Sequence, residues 1–149
     1  MSKNERQMAA TTDQVWQVIA DPYAYAHWVV GAKEIRGHQG SWPEKGALLH
    51  HTVGTAVANV KDNTEVLEVE ARKRLKLRGR VRPIGIVNIV VDIDEEVKGM
   101  GATVRIKEAV VAGPISKIPQ RLLDPLLALR NAETLRRLER LALKRVETP

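Results

Sequence analysis

The residue with the clearest potential for chemistry is Glu108, a carboxylate on the otherwise apolar face of the predicted strand 102–111. Because side chains alternate along a strand, Glu108 shares a face with Ile106 and Val110. Burying a carboxylate costs free energy unless it is paired or lines a wet cavity. Glu108 therefore either faces solvent through a shifted register or enters a cavity, where it could serve as a general acid or base.

Two adjacent histidines, His50 and His51, are the next candidates, and both lie in the predicted strand 47–54. One of them must face inward in either register. The inward histidine is either a core residue with a local hydrogen bond or a polar group in a ligand pocket. Together with Glu108, these histidines are the candidate catalytic residues.

The sequence contains no motif for a metal or a cofactor. The two histidines point to opposite faces of their strand, and there is no cysteine and no HxH or HExxH spacing. We therefore predict no metal site. GxSxG, Walker and GxGxxG motifs are also absent, which leaves hydrolase, NTPase and dinucleotide-binding functions without support. We predict that the protein uses no cofactor.

A further polar candidate, Asn131, lies on the apolar face of the predicted C-terminal helix, which it shares with Leu127, Leu135 and Leu138. The surrounding arginines, including Arg130, are predicted to face water. An asparagine that points inward either bonds to loop backbone or lines a cavity. Asn131 is therefore a candidate for binding a ligand.

Capping signals mark the predicted helix starts. Thr11 and Gln14 have the spacing of a capping box, and Asp21 followed by proline predicts a second, short helix that ends near residue 29. Tyr25, Trp28 and Trp42 flank the joins between helix and sheet, where they either staple a helix to the sheet edge or form the rim of an opening. A second Asp-Pro pair predicts that Asp124 caps the C-terminal helix, after a short helical turn at 117–123.

A long β region separates these helices, and turn-forming segments divide it into short alternating stretches. Strands that follow one another across short turns pair antiparallel. Because strands and helices are segregated, we predict an α+β fold in a single domain, with helices packed on one face of an antiparallel sheet. The predicted strands are 4–10, 32–38, 47–54, 57–61 running on to 64–70, 73–82, 85–96 and 102–111.

The segment RKRLKLRGRVR, residues 72–82, carries a basic residue at every even position. Its period of two predicts a strand with one basic face rather than a helix. A register about the RPIG turn would place Lys76 opposite Asp92, and a second hairpin would place Glu70 opposite Arg74. The basic face would then belong to a lattice of opposite charges on the solvent side. The residues left as candidates for phosphate binding are Arg78, Arg80 and Arg82.

Composition limits the partners. The net charge of +6 makes nucleic acid or anionic lipid a hypothesis, but the absence of Phe, with three Trp and two Tyr, leaves little material for stacking on bases. Nucleic acid is therefore disfavoured. No apolar run reaches about 18 residues, so no membrane span is predicted. The lack of cysteine and of an apolar N-terminal stretch predicts a cytoplasmic protein. The sequence leaves open whether it is a monomer or a homodimer.

Five segments, in their order, resemble the SRPBCC superfamily of START, polyketide-cyclase and pollen-allergen-like helix-grip proteins. They are TTDQVWQVIADPYAYAHWV, GSWPEKGALLHHTVG, EVLEVEARKRLKLRGRVRP, GATVRIKEAVVAGP and LRNAETLRRLERLA. The similarity is strongest to the bacterial polyketide cyclase/dehydrase branch and covers about residues 5–145. It implies a curved seven-stranded antiparallel sheet wrapped around the long C-terminal helix, with a mostly apolar cavity between them. The superfamily has no universal catalytic motif.

The resemblance implies a hydrophobic ligand, such as a lipid, a polyketide or an aromatic molecule. We expect a binding protein that encloses this ligand between sheet and helix. The alternative is a cyclase or dehydratase that uses the inward histidine and Glu108 as acid and base. A third hypothesis is salt-sensitive binding of nucleic acid or anionic membrane through the basic surface. The expected ligand-binding residues are Trp28, Val69, Leu77, Val91, Ile106, Glu108, Leu127, Asn131, Leu135 and Leu138.

Overall fold

Seven strands and three helices make up the regular structure of the described chain. The computed structural model describes residues 1–54, 59–81, 85–95 and 101–146. Short 3-10 turns cover Pro22–Ala24 and Pro114–Lys117. The helices are α1 Thr12–Ile19, α2 Tyr25–Trp28 and α3 Gln120–Ala142. The strands are β1 Ser2–Met8, β2 Ala32–Gln39, β3 Leu48–Gly54, β4 Asn59–Glu70, β5 Arg74–Val81, β6 Gly85–Glu95 and β7 Ala102–Ala112.

All seven strands belong to one antiparallel sheet with the order β1-β7-β6-β5-β4-β3-β2. The long helix α3 packs against β1, β7, α1 and α2. This curved sheet around one long helix is the helix-grip architecture that the sequence predicts, so the expected fold class is confirmed. None of the helices in the described ranges has the length and apolar content needed to cross a bilayer.

The N-terminal helices begin where their capping signals predict. The backbone N–H of Gln14 donates to Thr11 Oγ1 over 3.2 Å, and the Thr11 N–H donates to the Gln14 side chain over 3.0 Å. This reciprocal pair is a capping box. The carboxylate of Asp21 accepts a hydrogen bond from the Tyr23 N–H over 3.0 Å. Asp21 thus caps the 3-10 turn Pro22–Ala24, which runs directly into α2, whose residues Tyr25 and Trp28 are buried.

The start of α3 differs from the prediction. The helix begins at Gln120, and Asp124 is an internal residue rather than the N-cap. Pro125 is tolerated because it lies in the second turn, where it costs the helix one hydrogen bond, to the Arg121 carbonyl. The Asp124 carboxylate instead contacts the N-terminal ammonium over 3.2 Å. The predicted separate turn at 117–123 is therefore divided between a 3-10 turn and α3.

A β-bulge changes which side chains of β4 face the core. Val66 pairs with Leu77 and Glu68 pairs with Lys76, so β4 advances by two residues where β5 advances by one. The extra residue, Leu67, shifts the alternation by one position. As a result Val66 is buried, whereas Leu67, which the alternation predicts to face inward, is only half-buried. The same shift turns Thr64 towards the core.

The basic strand β5 lies within a lattice of opposite charges, but its register with β6 differs by two residues from the prediction. Arg74, rather than Lys76, pairs with Asp92, and the two side chains form an ion pair at 3.7 Å. The predicted pairing of Glu70 with Arg74 is confirmed. A two-residue shift keeps every side chain on its face. It leaves Arg74 and Asp92 as the charged pair between β5 and β6, because Lys76 now lies opposite Val90, whereas the opposite charges on the β4 side are retained. Arg82 lies outside the described residues.

Candidate functional site

A cavity of about 280 Å³ lies between the inner face of the sheet, α2 and the first half of α3. Most of its wall is apolar, and a few polar side chains enter it from both sheet and helix. Its lining residues are Tyr25, Val29, Val30, Gly31, Ala32, His51, Thr64, Gly79, Arg80, Gly85, Val87, Ile89, Glu108, Val110, Ile115, Leu127 and Arg130.

Gly85 allows the chain to close one end of this cavity. A Cβ atom added at Gly85 would lie 2.4 Å from the carbonyl oxygen of Ala112 and 2.7 Å from Cγ2 of Ile115. Real side chains do not approach backbone so closely, so only glycine lets the segment after β7 pack against the start of β6. That packing brings Ile115 to the cavity wall.

Three polar side chains form one end of the cavity, and we call Tyr25, His51 and Thr64 the polar triad. Nε2 of His51 lies 2.8 Å from Oγ1 of Thr64, and the hydroxyl of Tyr25 lies 3.5 Å from the same oxygen. The rings of Tyr25 and His51 stack with centroids 5.7 Å apart. Nδ1 of His51 is buried and has no hydrogen-bond partner among the described residues.

The polar triad is uncharged at neutral pH. Burial lowers the pKa of His51 to about 4, an effect that nearby Asp62 opposes and Arg36 reinforces. Burial also raises the pKa of Tyr25 above its ordinary value of 10.0. Both shifts favour the neutral form, because a charge loses its hydration when it is buried. This end of the cavity therefore offers neutral hydrogen-bonding groups.

Glu108 carries the buried charge of the site, and two residues of α3 compensate it. Its side chain is fully buried, and Oε1 lies 3.2 Å from Nη2 of Arg130, which is about one third exposed at 32%. Nη1 of Arg130 also approaches Oε2 at 3.4 Å. Nδ2 of Asn131 donates to Oε1 over 3.4 Å. The carboxylate thus points into the cavity wall as a paired group, which satisfies the requirement for burying it.

The structure brings most of the predicted site residues together around two adjoining spaces. Glu108, His51 and Leu127 line the cavity of about 280 Å³. A smaller space of about 10 Å³ is lined by Glu108 and by five other predicted residues, Trp28, Leu77, Val91, Ile106 and Asn131. The indole Nε1 of Trp28 is buried there without a hydrogen-bond partner in the described chain.

Four predicted residues do not reach either space. Leu135 and Leu138 are buried core residues, because they lie two to three turns beyond Leu127, where α3 packs closely on its neighbours. Val69 packs against the core from the far end of β4. His50 is half-buried on the opposite face of the sheet from His51, as alternation along β3 requires.

Several residues of the site were not predicted from the sequence, among them the polar residues Thr64, Arg130 and Tyr25. Thr64 was missed because the bulge at Leu67 reverses the alternation on which the prediction depended. Arg130 was expected to face water, but its long side chain bends back to Glu108. Its position one turn after Leu127, beside the inward Asn131, was the signal that could have placed it there. Tyr25 was predicted only to flank the join between helix and sheet.

In the described part of the chain, no group of three or more His, Cys, Asp or Glu side chains could hold a metal ion. The site is therefore built from an apolar wall, a neutral polar triad, one compensated ion pair and the exposed Arg80, which also lines the cavity. Such a set can enclose an apolar molecule and hydrogen-bond to it.

The curved sheet around α3, with an apolar cavity between them, defines a protein of the helix-grip, SRPBCC type. The chain belongs to the family described as polyketide cyclase/dehydrase and lipid transport, whose model matches residues 2–143. The resemblance identified from the sequence is thereby confirmed. A comparison with curated proteins gave no match.

Solved structures share this fold at low sequence identity. A Staphylococcus aureus protein of unknown function superposes with a TM-score of 0.73 and 9% identity, covering 95% of this chain and 91% of that one. Ara h 8.0201 gives 0.72 and 9%, covering 96% and 97%. DynU16, a protein in the dynemicin biosynthetic locus, gives 0.66 and 19%, covering 96% of this chain and 47% of that one. At these identities the similarity concerns the fold alone.

Proposed function

We propose that the protein binds a small, uncharged hydrophobic molecule that carries one hydrogen-bonding group. The observation that supports this most directly is the cavity of about 280 Å³, whose mostly apolar wall ends in the neutral polar triad. Ligand sites in proteins commonly combine apolar walls with a few convergent polar groups. The family description, polyketide cyclase/dehydrase and lipid transport, agrees with a ligand of this kind.

The size of the cavity limits the ligand. Small-molecule sites typically measure about 300–1,000 Å³, so 280 Å³ lies at the lower end. Apolar cavities of about 150 Å³ bind benzene. A molecule with two fused rings, or an isoprenoid of similar volume, fits the available space. A long acyl chain would require the cavity to expand.

The charges around the cavity favour a neutral ligand. His51 and Tyr25 are both uncharged, since burial shifts their pKa values away from neutrality. Two arginines of the described chain line the cavity: Arg130 is already paired with Glu108, and Arg80 is exposed to solvent, where water screens its charge. A ligand carboxylate would have to compete for Arg130 and would lie near a buried charge of its own sign. A hydroxyl or carbonyl group can instead pair with one of the neutral groups of the polar triad, which line the cavity.

Three probes of matched size test this proposal: 2-naphthol, naphthalene and 2-naphthoate. Binding of 2-naphthol is followed by its own fluorescence, and the other two are added as competitors. We expect 2-naphthol to bind about fivefold more tightly than naphthalene, since one net hydrogen bond contributes about 1 kcal/mol. We expect 2-naphthoate to bind most weakly.

Two neighbouring substitutions provide the control. Val110 lines the cavity, whereas Val111 is 48% exposed on the other face of β7. Val110→Phe should fill the cavity and abolish binding of 2-naphthol, and Val111→Phe should leave it unchanged. The proposal of a small-molecule site is wrong if each of the three probes binds Val110→Phe at least as tightly as it binds the wild-type protein. Tighter binding of 2-naphthoate would contradict only the preference for neutral ligands.

The second candidate function is a cyclase or dehydratase. The observation that favours it is the neutral imidazole of His51 in the cavity wall, which holds a hydrogen-bonding nitrogen without a partner. Such a group could remove or relay a proton beside a ligand carbonyl, with Glu108 as a second acid or base. Native mass spectrometry of the purified protein would first identify a co-purified ligand. Unchanged turnover of that ligand by His51→Gln and by Glu108→Gln would exclude these residues from catalysis.

A further inference from the structure

The outer side of α3 carries apolar residues that neither the core nor the cavity explains. Leu122, Leu126 and Leu129 are 58%, 66% and 74% exposed. Their spacing of four and three residues places them on one side of the helix, and we call them the leucine face. The buried side of the same turns already has Leu123 and Leu127. This part of α3 is therefore apolar on both sides, which a helix packed on one core does not require.

Basic residues lie beyond both ends of the leucine face. Lys117 and Arg121 are exposed at the start of the helix, and Arg136 and Arg140 are exposed two to three turns after Leu129. The acidic residue of this side, Glu133, is already paired with Arg136 at 2.7 Å and with Arg137 at 3.1 Å. The exposed side of α3 thus combines an apolar strip with an excess of positive charge.

We propose that the leucine face binds the surface of an anionic lipid bilayer, with α3 lying parallel to the membrane plane. Helices that lie in the membrane interface bury leucines at the boundary between headgroups and acyl chains, and their Lys and Arg residues pair with anionic headgroups. Leu122 and Leu129 are about 10 Å apart along the helix axis, and Arg136 follows about 10 Å further on. A flat bilayer can contact all of these residues at once.

A second copy of the chain fits this surface less well than a bilayer does. If two leucine faces met, the helices could run parallel or antiparallel. In an antiparallel pair, Lys117 and Arg121 of one copy would lie near Arg136 and Arg140 of the other. In a parallel pair, they would lie near the same two basic residues of the other copy. Like charges held close together oppose association. An anionic surface complements the same charges.

Membrane contact at this face would place the cavity close to the bilayer. Leu127 and Arg130 line the cavity from the inner side of the same helical turns. The leucine face is thus separated from the cavity by the thickness of one helix, about 10 Å. The inference goes beyond the proposed ligand binding and does not depend on it, because its test uses lipid vesicles and no cavity ligand.

Co-sedimentation with vesicles tests the proposal. We expect the protein to bind vesicles of phosphatidylcholine and phosphatidylglycerol in a 3:1 ratio, to bind pure phosphatidylcholine at least tenfold more weakly, and to dissociate in 0.5 M salt. Leu126→Asn with Leu129→Asn should lower the partition constant on the order of tenfold or more. Its matched control is Tyr23→Asn with Val111→Asn, which removes exposed apolar groups away from α3 and should leave vesicle binding unchanged. Leu129→Asn alone, at the most exposed position, replaces the double variant if that one does not fold.

The charges are tested in the same way. Arg136→Gln with Arg140→Gln should weaken binding about tenfold, whereas Lys33→Gln with Lys45→Gln, exposed on and beside the far edge strand β2, should have a smaller effect. Equal binding by wild type and the leucine variant would overturn the proposal. A second outcome would also overturn it: the wild-type protein does not bind vesicles, and analytical ultracentrifugation shows a wild-type dimer that the leucine variant does not form. The proposal would also be overturned if the wild-type protein bound nucleic acid but not vesicles, and the leucine variant bound nucleic acid equally well.

Discussion

Replacing Arg130 by methionine tests the energetics of the ion pair in the cavity wall. Methionine keeps much of the apolar stem of the arginine but removes the guanidinium, which lies 3.2 Å from the fully buried carboxylate of Glu108. The remaining partner of Glu108 in the described structure is Asn131, over a long hydrogen bond of 3.4 Å. The substitution therefore leaves a buried carboxylate that is poorly compensated.

The expected loss follows from the burial of the two partners. Removing one member of a buried ion pair typically costs about 3–5 kcal/mol of the free energy of unfolding. Because Arg130 is 32% exposed, water already screens part of the interaction, and we expect a loss of about 2–3 kcal/mol. With a urea m-value of about 2 kcal/mol/M, the unfolding midpoint should fall by about 1–1.5 M.

Two further variants separate the buried charge from lost packing. Glu108→Gln with Arg130→Met removes both charges and should recover at least half of the loss, because no uncompensated carboxylate remains. Arg136→Met removes a comparable arginine from a surface pair and should cost less than about 1 kcal/mol. An unchanged midpoint for Arg130→Met, or a double variant no more stable than the single one, would refute the reasoning.

Three other predictions concern the polar triad and the glycine at the cavity wall. Thr64→Val should cost about 1–3 kcal/mol in urea unfolding, since Nε2 of the buried His51 loses its partner at 2.8 Å. Burial lowers the pKa of His51 from 6.5 to about 4, so between these pH values the unfolded chain binds a proton that the folded chain does not. The free energy of unfolding that is present above pH 6.5 should therefore decrease as the pH falls towards 4. Urea unfolding at pH 7.5 and 4.5 should show this loss reduced in His51→Gln but retained in His50→Gln; equal losses in both would contradict it. Gly85→Ala should lower the free energy of unfolding by about 1–3 kcal/mol, because the new methyl group would lie 2.4 Å from the Ala112 carbonyl oxygen, and a wild-type melting temperature would refute this close approach.

Local signals in the sequence were sufficient for much of the fold. The capping box of Thr11 and Gln14 and the cap at Asp21 depend on residues a few positions apart, and both are present in the structure. The α+β class followed from the segregation of strands and helices. The start of α3 was misplaced because Asp-Pro signals a helix start, although a proline is also tolerated in the second turn of a longer helix.

The candidate site was only partly predictable, for a related reason. The alternation of β7 and the helical period of α3 brought Glu108 and Asn131 to the inner side. Thr64 could not be placed, because one inserted residue at the bulge reverses the alternation and leaves no periodic signal of its own. Arg130 could not be assigned as the partner of Glu108, because 22 positions separate them and only the docking of α3 on the sheet brings them together.

The sequence by itself determined where most strands and helices form and which side of each is apolar, since periodicity and capping act over a few residues. The tertiary structure alone decided which polar groups meet. It stacked Tyr25 on His51, supplied Arg130 to Glu108 and left an open volume between sheet and helix. These features depend on strand register, a bulge and the docking of one helix, all of which are settled by packing between segments distant in the chain.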